Sequence, residues 1–189
     1  TPETPANTPD PRKRFPRILG DAMYFCDFRG LGRAGDIVLK DRYNSLWAFD
    51  QNLKQLWHAQ CNTGHYPFAF DVDGDGKDEL IQGYTLFDHT GKKIWSLEET
   101  LKDHADGVSI VRLDADPKAE PRALLACSDE GMVYADVRGK ILHHHRVGHA
   151  QNHVVADFRT DLPGLESVTI NFWGDQGIVN LYDAQGKMY

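Results

Sequence analysis

The sequence has few cysteines and no long hydrophobic run, and each shortage removes a class of protein. Its three cysteines, Cys26, Cys61 and Cys127, are too few and too far apart for a disulfide framework or a paired zinc site. Cys26 and Cys127 lie within apolar segments, which predicts burial as small hydrophobic side chains. No apolar stretch approaches the ~18 residues of a membrane span, and no signal peptide is visible at residue 1. We therefore expect no membrane-spanning segment.

Positive charge, helical periodicity and nucleotide motifs are also scarce. The net charge of −7 argues against a surface that binds nucleic acid. Helical spacing of apolar residues is missing, apart from a hint of one helical turn at residues 97–102. We recognise no Ser-His-Asp arrangement, phosphate-binding loop or nucleotide fingerprint, which disfavours enzymes that use them. With 189 residues and 41% hydrophobic content, the chain is long enough for one globular core.

An internal repeat of about 43 residues organises the chain. Four aspartates mark it, and each follows a short apolar strand: Asp27, Asp71, Asp114 and Asp157. In each unit a second strand follows the marked loop, and a third strand ends in a turn aspartate before a hairpin into strand four. Three of these hairpins carry Gly-Lys, where glycine permits positive φ. Four antiparallel strands per repeat are typical of a β-propeller blade.

We therefore predict an all-β propeller, with a sandwich or an open meander as the rival arrangement. The four blades are expected at about residues 20–62, 63–103, 104–148 and 149–189. Residues 1–19, rich in Thr and Pro, are interpreted as a linker and lead-in. The fourth strand of the last repeat is expected at Met188-Tyr189 and is short. We expect these blades to be part of a larger propeller of seven or eight blades, completed by the remainder of the ring or by a second copy of the chain.

The loop from Asp71 to Leu80 has the pattern of a calcium site. The expected ligands at loop positions 1, 3, 5, 7 and 9 are Asp71, Asp73, Asp75, the Lys77 carbonyl and Glu79. An EF-hand would need flanking helices and a glutamate at position 12, where this chain has Gln82. Calcium is therefore the expected cofactor, held in a loop between strands.

The other three loops depart from this pattern, because they contain Arg29, Lys118 and Arg159. We expect only the second repeat to bind calcium well. Calcium is scarce in cytosol, so the loop favours a secreted or periplasmic protein.

Several segments resemble FG-GAP-like calcium-binding propellers: the Asp-x-Asp-Gly-Asp-Gly-x-Asp-Glu loop, the strand-Asp-x-x-Gly-Lys-x-x-Trp hairpin and Pro163-Gly164-Leu165-Glu166. Within that group, residues 20–189 are most similar in look to rhamnogalacturonan lyases and related propeller-fold polysaccharide lyases, including ulvan lyases. Two further segments carry the lyase resemblance, namely His104-Ala105-Asp106-Gly107 and Leu113-Asp114-Ala115-Asp116-Pro117. The resemblance implies an enzyme that cleaves uronate-containing glycans by β-elimination, with an acidic polysaccharide as its partner.

Histidines are frequent, nine in all, and four of them precede predicted first strands: His65, His104, His149 and His153. First strands line the central channel of a propeller, so these side chains are expected near a ligand-binding funnel, as neutral bases or ligands of a second metal. The alternative is that they only hydrogen-bond loops and support blade packing.

A lyase interpretation gives these residues roles. The base that removes the C5 proton would be His65 or His149, and Arg146, Arg112 or a metal would neutralise the substrate carboxylate. Tyr66 would protonate the leaving oxygen. His104, His153 and Trp173 are expected to contact substrate, whereas Trp57 and Trp95 occupy equivalent repeat positions and are expected in the core. The competing function is a non-catalytic, calcium-stabilised propeller for carbohydrate binding or adhesion.

Overall fold

The computed structural model describes residues 20–174 and 177–189, so the predicted linker at 1–19 lies outside the described residues. Sheet I contains β1 Gly20–Cys26, β2 Asp36–Asp41, β3 Ser45–Phe49 and β4 Gln55–Gln60. Sheet II contains β5 Phe68–Phe70, β6 Glu79–Gln82, β7 Thr85–Phe87 and β8 Lys93–Ser96. Sheet III contains β9 Gly107–Val111, β10 Arg122–Ala126, β11 Met132–Asp136 and β12 Ile141–His145. Sheet IV contains β13 Ala150–Ala156, β14 Glu166–Asn171 and β15 Val179–Tyr182.

Each sheet is formed by consecutive antiparallel strands, so every neighbour in a sheet is also a neighbour in sequence. This confirms the all-β prediction, and the described residues contain no helix. The hinted helical turn is a single hydrogen-bonded turn, in which the Leu97 carbonyl accepts from the amides of Thr100 and Leu101. Sheet IV differs from the expectation of a fourth strand, because Met188 makes only an isolated bridge with Tyr182. No helix long and apolar enough to cross a membrane occurs in the described residues.

The apolar side chains fill the spaces between successive sheets. Because side chains alternate along a strand, Leu80 packs between sheets I and II while Ile81 packs between sheets II and III. In the same way, Leu125 faces sheet II and Leu124 faces sheet IV. The inner strands β6, β7 and β11 are therefore buried on both faces, and β11 reads as a nearly continuous hydrophobic run over residues 132–135.

A tryptophan on the fourth strand of one sheet packs against the hairpin glycine of the next. Trp57 Nε1 donates to the His89 carbonyl at 3.0 Å, and Trp95 Nε1 donates to the Val137 carbonyl at 2.9 Å. The hairpin glycines, Gly91 and Gly139, have φ of 83° and 81°. A Cβ there would lie 2.6 Å from Trp57 and 2.7 Å from Trp95. Glycine is needed for both the backbone conformation and the contact, and the predicted repeat-core position of both tryptophans is confirmed.

The cysteines contribute to these cores as free thiols. All three are buried, as predicted for Cys26 and Cys127. Burial raises the pKa of the Cys26 and Cys127 thiols well above their usual range. They are therefore protonated hydrophobic side chains.

Candidate metal centre

Three imidazoles converge on one buried carboxylate where sheets II, III and IV begin. His65 lies between β4 and β5, His104 between β8 and β9, and His149 between β12 and β13. Asp106 directly precedes β9, and its side chain is 2% exposed. The repeat brings these residues together because each histidine lies just before the first strand of its sheet.

The distances suit a divalent cation. Asp106 Oδ1 lies 3.4 Å from His65 Nε2 and 3.6 Å from His104 Nε2. One ligand atom each from His65, His104 and Asp106 lies within 4.8 Å of the others. Ligands at about 2.0–2.2 Å from a cation, at angles of about 90–110°, are separated by roughly 3.0–3.5 Å. His149 Nε2 faces the other carboxylate oxygen of Asp106, at 3.4 Å.

Two of the imidazoles are oriented by a second carboxylate. His104 Nδ1 lies 2.7 Å from Asp103 Oδ1, and His149 Nδ1 lies 2.7 Å from Asp129 Oδ1. A proton on Nδ1 is donated to the carboxylate, which leaves the Nε2 lone pair directed towards Asp106. Carboxylates in this position orient metal-binding imidazoles and increase their basicity.

Asp106 itself is fixed by polar partners. The Ser128 hydroxyl donates to Oδ2, and Gln151 Nε2 donates to Oδ1 at 2.8 Å. The Asp106 amide donates to the Ala126 carbonyl at 2.8 Å. A buried carboxylate held this firmly beside three imidazoles needs positive charge nearby, supplied by a proton or a metal.

His65 is the imidazole whose protonation the site opposes. Burial lowers the pKa of His65, although the Asp106 carboxylate acts in the opposite direction. A neutral imidazole can act as a metal ligand or as a base. The Tyr43 ring packs beside this group, 5.9 Å from the His65 ring and 5.2 Å from the His104 ring.

An open cavity of about 700 Å³ adjoins the cluster on the side of His104. Its lining is mostly polar: Tyr43, Asn44, Gln60, Cys61, Asn62, Glu98, Lys102, Asp103 and His104. The cavity gives solutes access to the edge of the histidine cluster at His104.

The predicted calcium loop forms a separate cluster, which is acidic. Asp71, Asp73 and Glu79 bring one carboxylate oxygen each within 4.8 Å of the others. Burial raises the pKa of Glu79 to about 7, and Asp73, Asp75 and Asp71 add to that effect. This donor set fits a hard cation, which would offset the crowded negative charge. The Asp75 side chain instead contacts Lys77: its Oδ1 accepts a hydrogen bond from the Lys77 amide at 2.8 Å.

In the equivalent loop of sheet I, the positive charge comes from an arginine side chain. Asp36 and Glu79 are equivalent, because each begins a second strand and pairs with the last residue of the first. Arg29 Nε donates to Asp36 Oδ1 at 2.7 Å, and the Asp36 side chain is fully buried. The guanidinium thus neutralises the carboxylate. In sheet IV, Arg159 instead pairs with exposed Asp161 at 2.6 Å.

The other predicted site residues lie apart from Asp106. Tyr66 is 67% exposed, with its ring 6.4 Å from that of His65. Exposed Arg146 pairs with Glu130 at 3.1 Å. Trp173 is exposed at the end of β14 and packs edge-on against Phe172.

His153 is placed differently from the expectation. β13 begins at Ala150, so His153 lies inside the first strand of sheet IV and does not precede it. Its Nε2 lies 2.7 Å from Ser109 Oγ on the neighbouring sheet. Arg112, the other predicted neutraliser, donates to the Ala119 carbonyl at 2.8 Å and lies over the Phe70 ring.

Sequence reasoning did not assign several residues that build the metal centre. Asp106 lies within the segment His104-Ala105-Asp106-Gly107, but the sequence gives it no role, and Ser128 and Gln151 carry no signal because they come from distant positions. The His-x-Asp spacing of His104 and Asp106 is the one sequence feature that could have identified the carboxylate.

Comparison with known proteins finds a family and a curated protein that this chain resembles in sequence. The family described as "Rhamnogalacturonan lyase family 11, C-terminal domain" matches residues 37–188. The rhamnogalacturonan exolyase YesX of Bacillus subtilis (strain 168) is 38% identical over 79 residues, which are 41% of this chain and 12% of that protein.

Two solved structures share the fold. The exotype rhamnogalacturonan lyase YesX superposes with a TM-score of 0.72 at 24% identity, over 89% of this chain and 31% of that one. The rhamnogalacturonan lyase YesW gives 0.70 at 24% identity, with the same coverage of 89% and 31%. The chain therefore spans about a third of the length of these solved relatives.

Proposed function

This chain belongs to the rhamnogalacturonan lyase family 11 C-terminal domain family, and from that premise we propose that it is part of an enzyme that cleaves rhamnogalacturonan by β-elimination. The relatives are named as rhamnogalacturonan lyases, which favours this substrate over ulvan. The observation that carries the proposal is the convergence of His65 and His104 on Asp106 beside an open, polar cavity.

We assign His65, His104 and Asp106 as ligands of a divalent cation, with His149 supporting the second oxygen of Asp106. Imidazole and carboxylate donors together suit several divalent ions, so the donor set defines the charge of the ion and not its identity. Asp103 and Asp129 hold the imidazole tautomers, while Ser128 and Gln151 hold the carboxylate.

The chemistry of β-elimination explains why this centre is useful. A cation bound to a uronate carboxylate neutralises its charge and makes the adjacent C5 proton more acidic. His104 lines the open cavity, which would leave room for the sugar beside the ion. Exposed Tyr66 and Arg146 would contact the polymer. Tyr66 would donate a proton to the leaving oxygen, and Arg146 would pair with a substrate carboxylate.

A second role for His65 is favoured by its lowered pKa, which keeps the ring neutral and able to accept the C5 proton. A ligand nitrogen cannot take up this proton, so the two roles of Nε2 exclude each other. The two roles predict different metal dependence. If His65 is the base, activity would persist in the presence of a chelator, whereas if His65 is a metal ligand, activity would require the ion.

We further propose that the four sheets are four blades of a larger closed propeller. The inter-sheet tryptophan contacts support this, since each sheet packs face to face on the next in sequence. The remainder of the ring would be its partner, supplied by additional sequence or by a second copy. Asp71, Asp73 and Glu79, with Asp75 and the Lys77 carbonyl, would hold a structural calcium ion. A calcium-requiring loop supports a secreted or periplasmic location.

The test is an ultraviolet assay for unsaturated uronate ends, using rhamnogalacturonan and the protein at its full natural length. We expect a rise that chelator abolishes and a divalent ion restores, and a loss with His104→Ala. A control variant, His58→Ala, changes a histidine on β4 that stacks on Trp47 away from the cluster. If the protein binds the polymer and the ion but absorbance does not rise, the non-catalytic carbohydrate-binding function replaces the lyase.

A further inference from the structure

A lysine without any solvent exposure lies behind the candidate metal centre. Lys40, on β2 of sheet I, is 0% exposed. Its Nζ donates to Asp21 Oδ2 at 2.8 Å, to the Gly64 carbonyl, and to the His65 carbonyl at 3.1 Å. An ammonium has three protons, and each has one acceptor here.

Two of these acceptors belong to the backbone that carries the first proposed metal ligand. The His65 amide donates to the Ala105 carbonyl at 3.0 Å on the opposite side. Ala105 lies between His104 and Asp106, the other two proposed ligands. The His65 peptide is thus bound by Lys40 on one side and by the ligand-bearing loop of sheet III on the other.

The backbone at Gly64 has little room to adjust. Its φ is +54°, and a Cβ at this position would collide with the Ala105 carbonyl. Because the segment already touches the loop between His104 and Asp106, any movement of Gly64 or His65 would change the distance between ligands.

From these contacts we propose that Lys40 is a positioning residue for the metal centre, which sets the place of His65 relative to His104 and Asp106. The inference rests on the proposed metal centre and adds a requirement to it. Lys40 touches no expected position of ion or substrate, and it acts only through the backbone of His65.

Energetics favour this role over simple packing. A buried ammonium loses hydration, and replacing a buried ion pair with apolar side chains is often neutral or stabilising. Asp21 balances the charge, but it does not explain why two carbonyls from the His65 segment complete the coordination of Nζ. Burial also lowers the pKa of Lys40, while the hydrogen bond that Lys40 donates to Asp21 opposes that change.

The experiment measures metal affinity and stability separately. Asp73→Asn is used as the background, so that the acidic loop does not obscure binding at the histidines. Ca²⁺, Mn²⁺ and Zn²⁺ are each titrated alone by calorimetry into this variant and into the same variant carrying Lys40→Met. We expect Lys40→Met to weaken the tightest-binding ion by about 10–100-fold, the usual cost of removing a residue that orients metal ligands.

Asp21→Asn is the matched control, because it removes the charge next to Nζ and leaves both carbonyl contacts. It is expected to change metal affinity by less than about threefold, whatever it does to stability. Lys40→Gln, which keeps an amide donor, is expected to recover part of the affinity. If Lys40→Met does not fold, Lys40→Gln is compared with Asp21→Asn instead, and weaker binding only in Lys40→Gln is expected.

The outcomes separate this inference from the proposed function. If the Asp73→Asn background binds none of the three ions, the metal centre itself is refuted. If the background binds and Lys40→Met or Lys40→Gln binds equally well, Lys40 is a structural residue only and the inference is overturned. Equal weakening in Asp21→Asn and the lysine variants would also overturn it, because loss of the ion pair would then be sufficient.

Discussion

Replacing Gly139 with alanine should test the contact that joins successive sheets. Gly139 lies in the hairpin between β11 and β12 with φ of 81°, and an added Cβ would lie 2.7 Å from Trp95. Two costs therefore apply to Gly139→Ala. The left-handed backbone costs alanine about 1–2 kcal/mol, and the overlap with the indole costs about 1–3 kcal/mol.

The matched control is Gly32→Ala. Gly32 has φ of 68°, and a Cβ there would meet nothing within 4 Å. Gly32→Ala therefore has only the backbone cost of about 1–2 kcal/mol. We expect Gly139→Ala to lower the free energy of unfolding by about 2–5 kcal/mol in total, which for a chain of this size is a fall in Tm of about 4–20 °C.

Denaturant unfolding followed by circular dichroism measures both variants. The Trp95→Ala background removes the indole, so the cost of Gly139→Ala in that background should fall to the cost of Gly32→Ala. If Gly139→Ala and Gly32→Ala cost the same in the native background, the tryptophan contact does not require glycine and the packing argument fails.

Three further predictions concern charge. Arg29→Met should lower the free energy of unfolding by about 2–4 kcal/mol, because it leaves the buried Asp36 carboxylate without its positively charged partner. Arg159→Met, which removes an exposed ion pair with Asp161, should cost less than about 1 kcal/mol. Equal costs of the two variants in chemical denaturation would refute the predicted difference. Asp73→Asn should reduce the gain in Tm on adding calcium, and an undiminished gain would exclude this loop as a calcium site. Burial lowers the pKa of His153 to about 4, so as the pH falls below about 6.5 the unfolded chain binds a proton at this residue before the folded protein does. About 3 kcal/mol of the free energy of unfolding should therefore be lost between pH 6.5 and 4. His153→Gln should flatten this part of the curve of stability against pH, and an unchanged curve would refute the assignment.

The strands were predictable because their information is local. Alternation, turn aspartates and hairpin glycines recur at a fixed period, so an error in one unit is corrected by the others. Sheet IV is the exception, because Met188 makes one bridge where the repeat predicts a strand. The start of the first strand of sheet IV also differs from the prediction: polar residues obscure its beginning, so the sequence predicts a strand only from about His153, whereas β13 begins at Ala150.

The candidate site was predictable only in part. The recurrence of histidines before first strands indicated His65, His104 and His149, and the structure brings these three together. The sequence did not reveal Asp106 as their common partner, because a carboxylate next to a histidine is also common on solvated loops. Lys40 could not be found at all, since its role depends on carbonyls 24 and 25 residues away.

The most direct measurement of the central claim is metal binding by Asp73→Asn, compared with the same variant carrying Asp106→Asn. Asparagine preserves the size of the side chain and one of the two oxygen acceptors that Ser128 and Gln151 use, so the fold should be retained while the anionic ligand is lost. Calorimetric titration with Ca²⁺, Mn²⁺ and Zn²⁺ should give one bound ion per chain at the histidines in Asp73→Asn, and at least a hundredfold weaker binding with Asp106→Asn. Equal binding by the two folded variants, or no binding by the first, would contradict a metal centre built on Asp106.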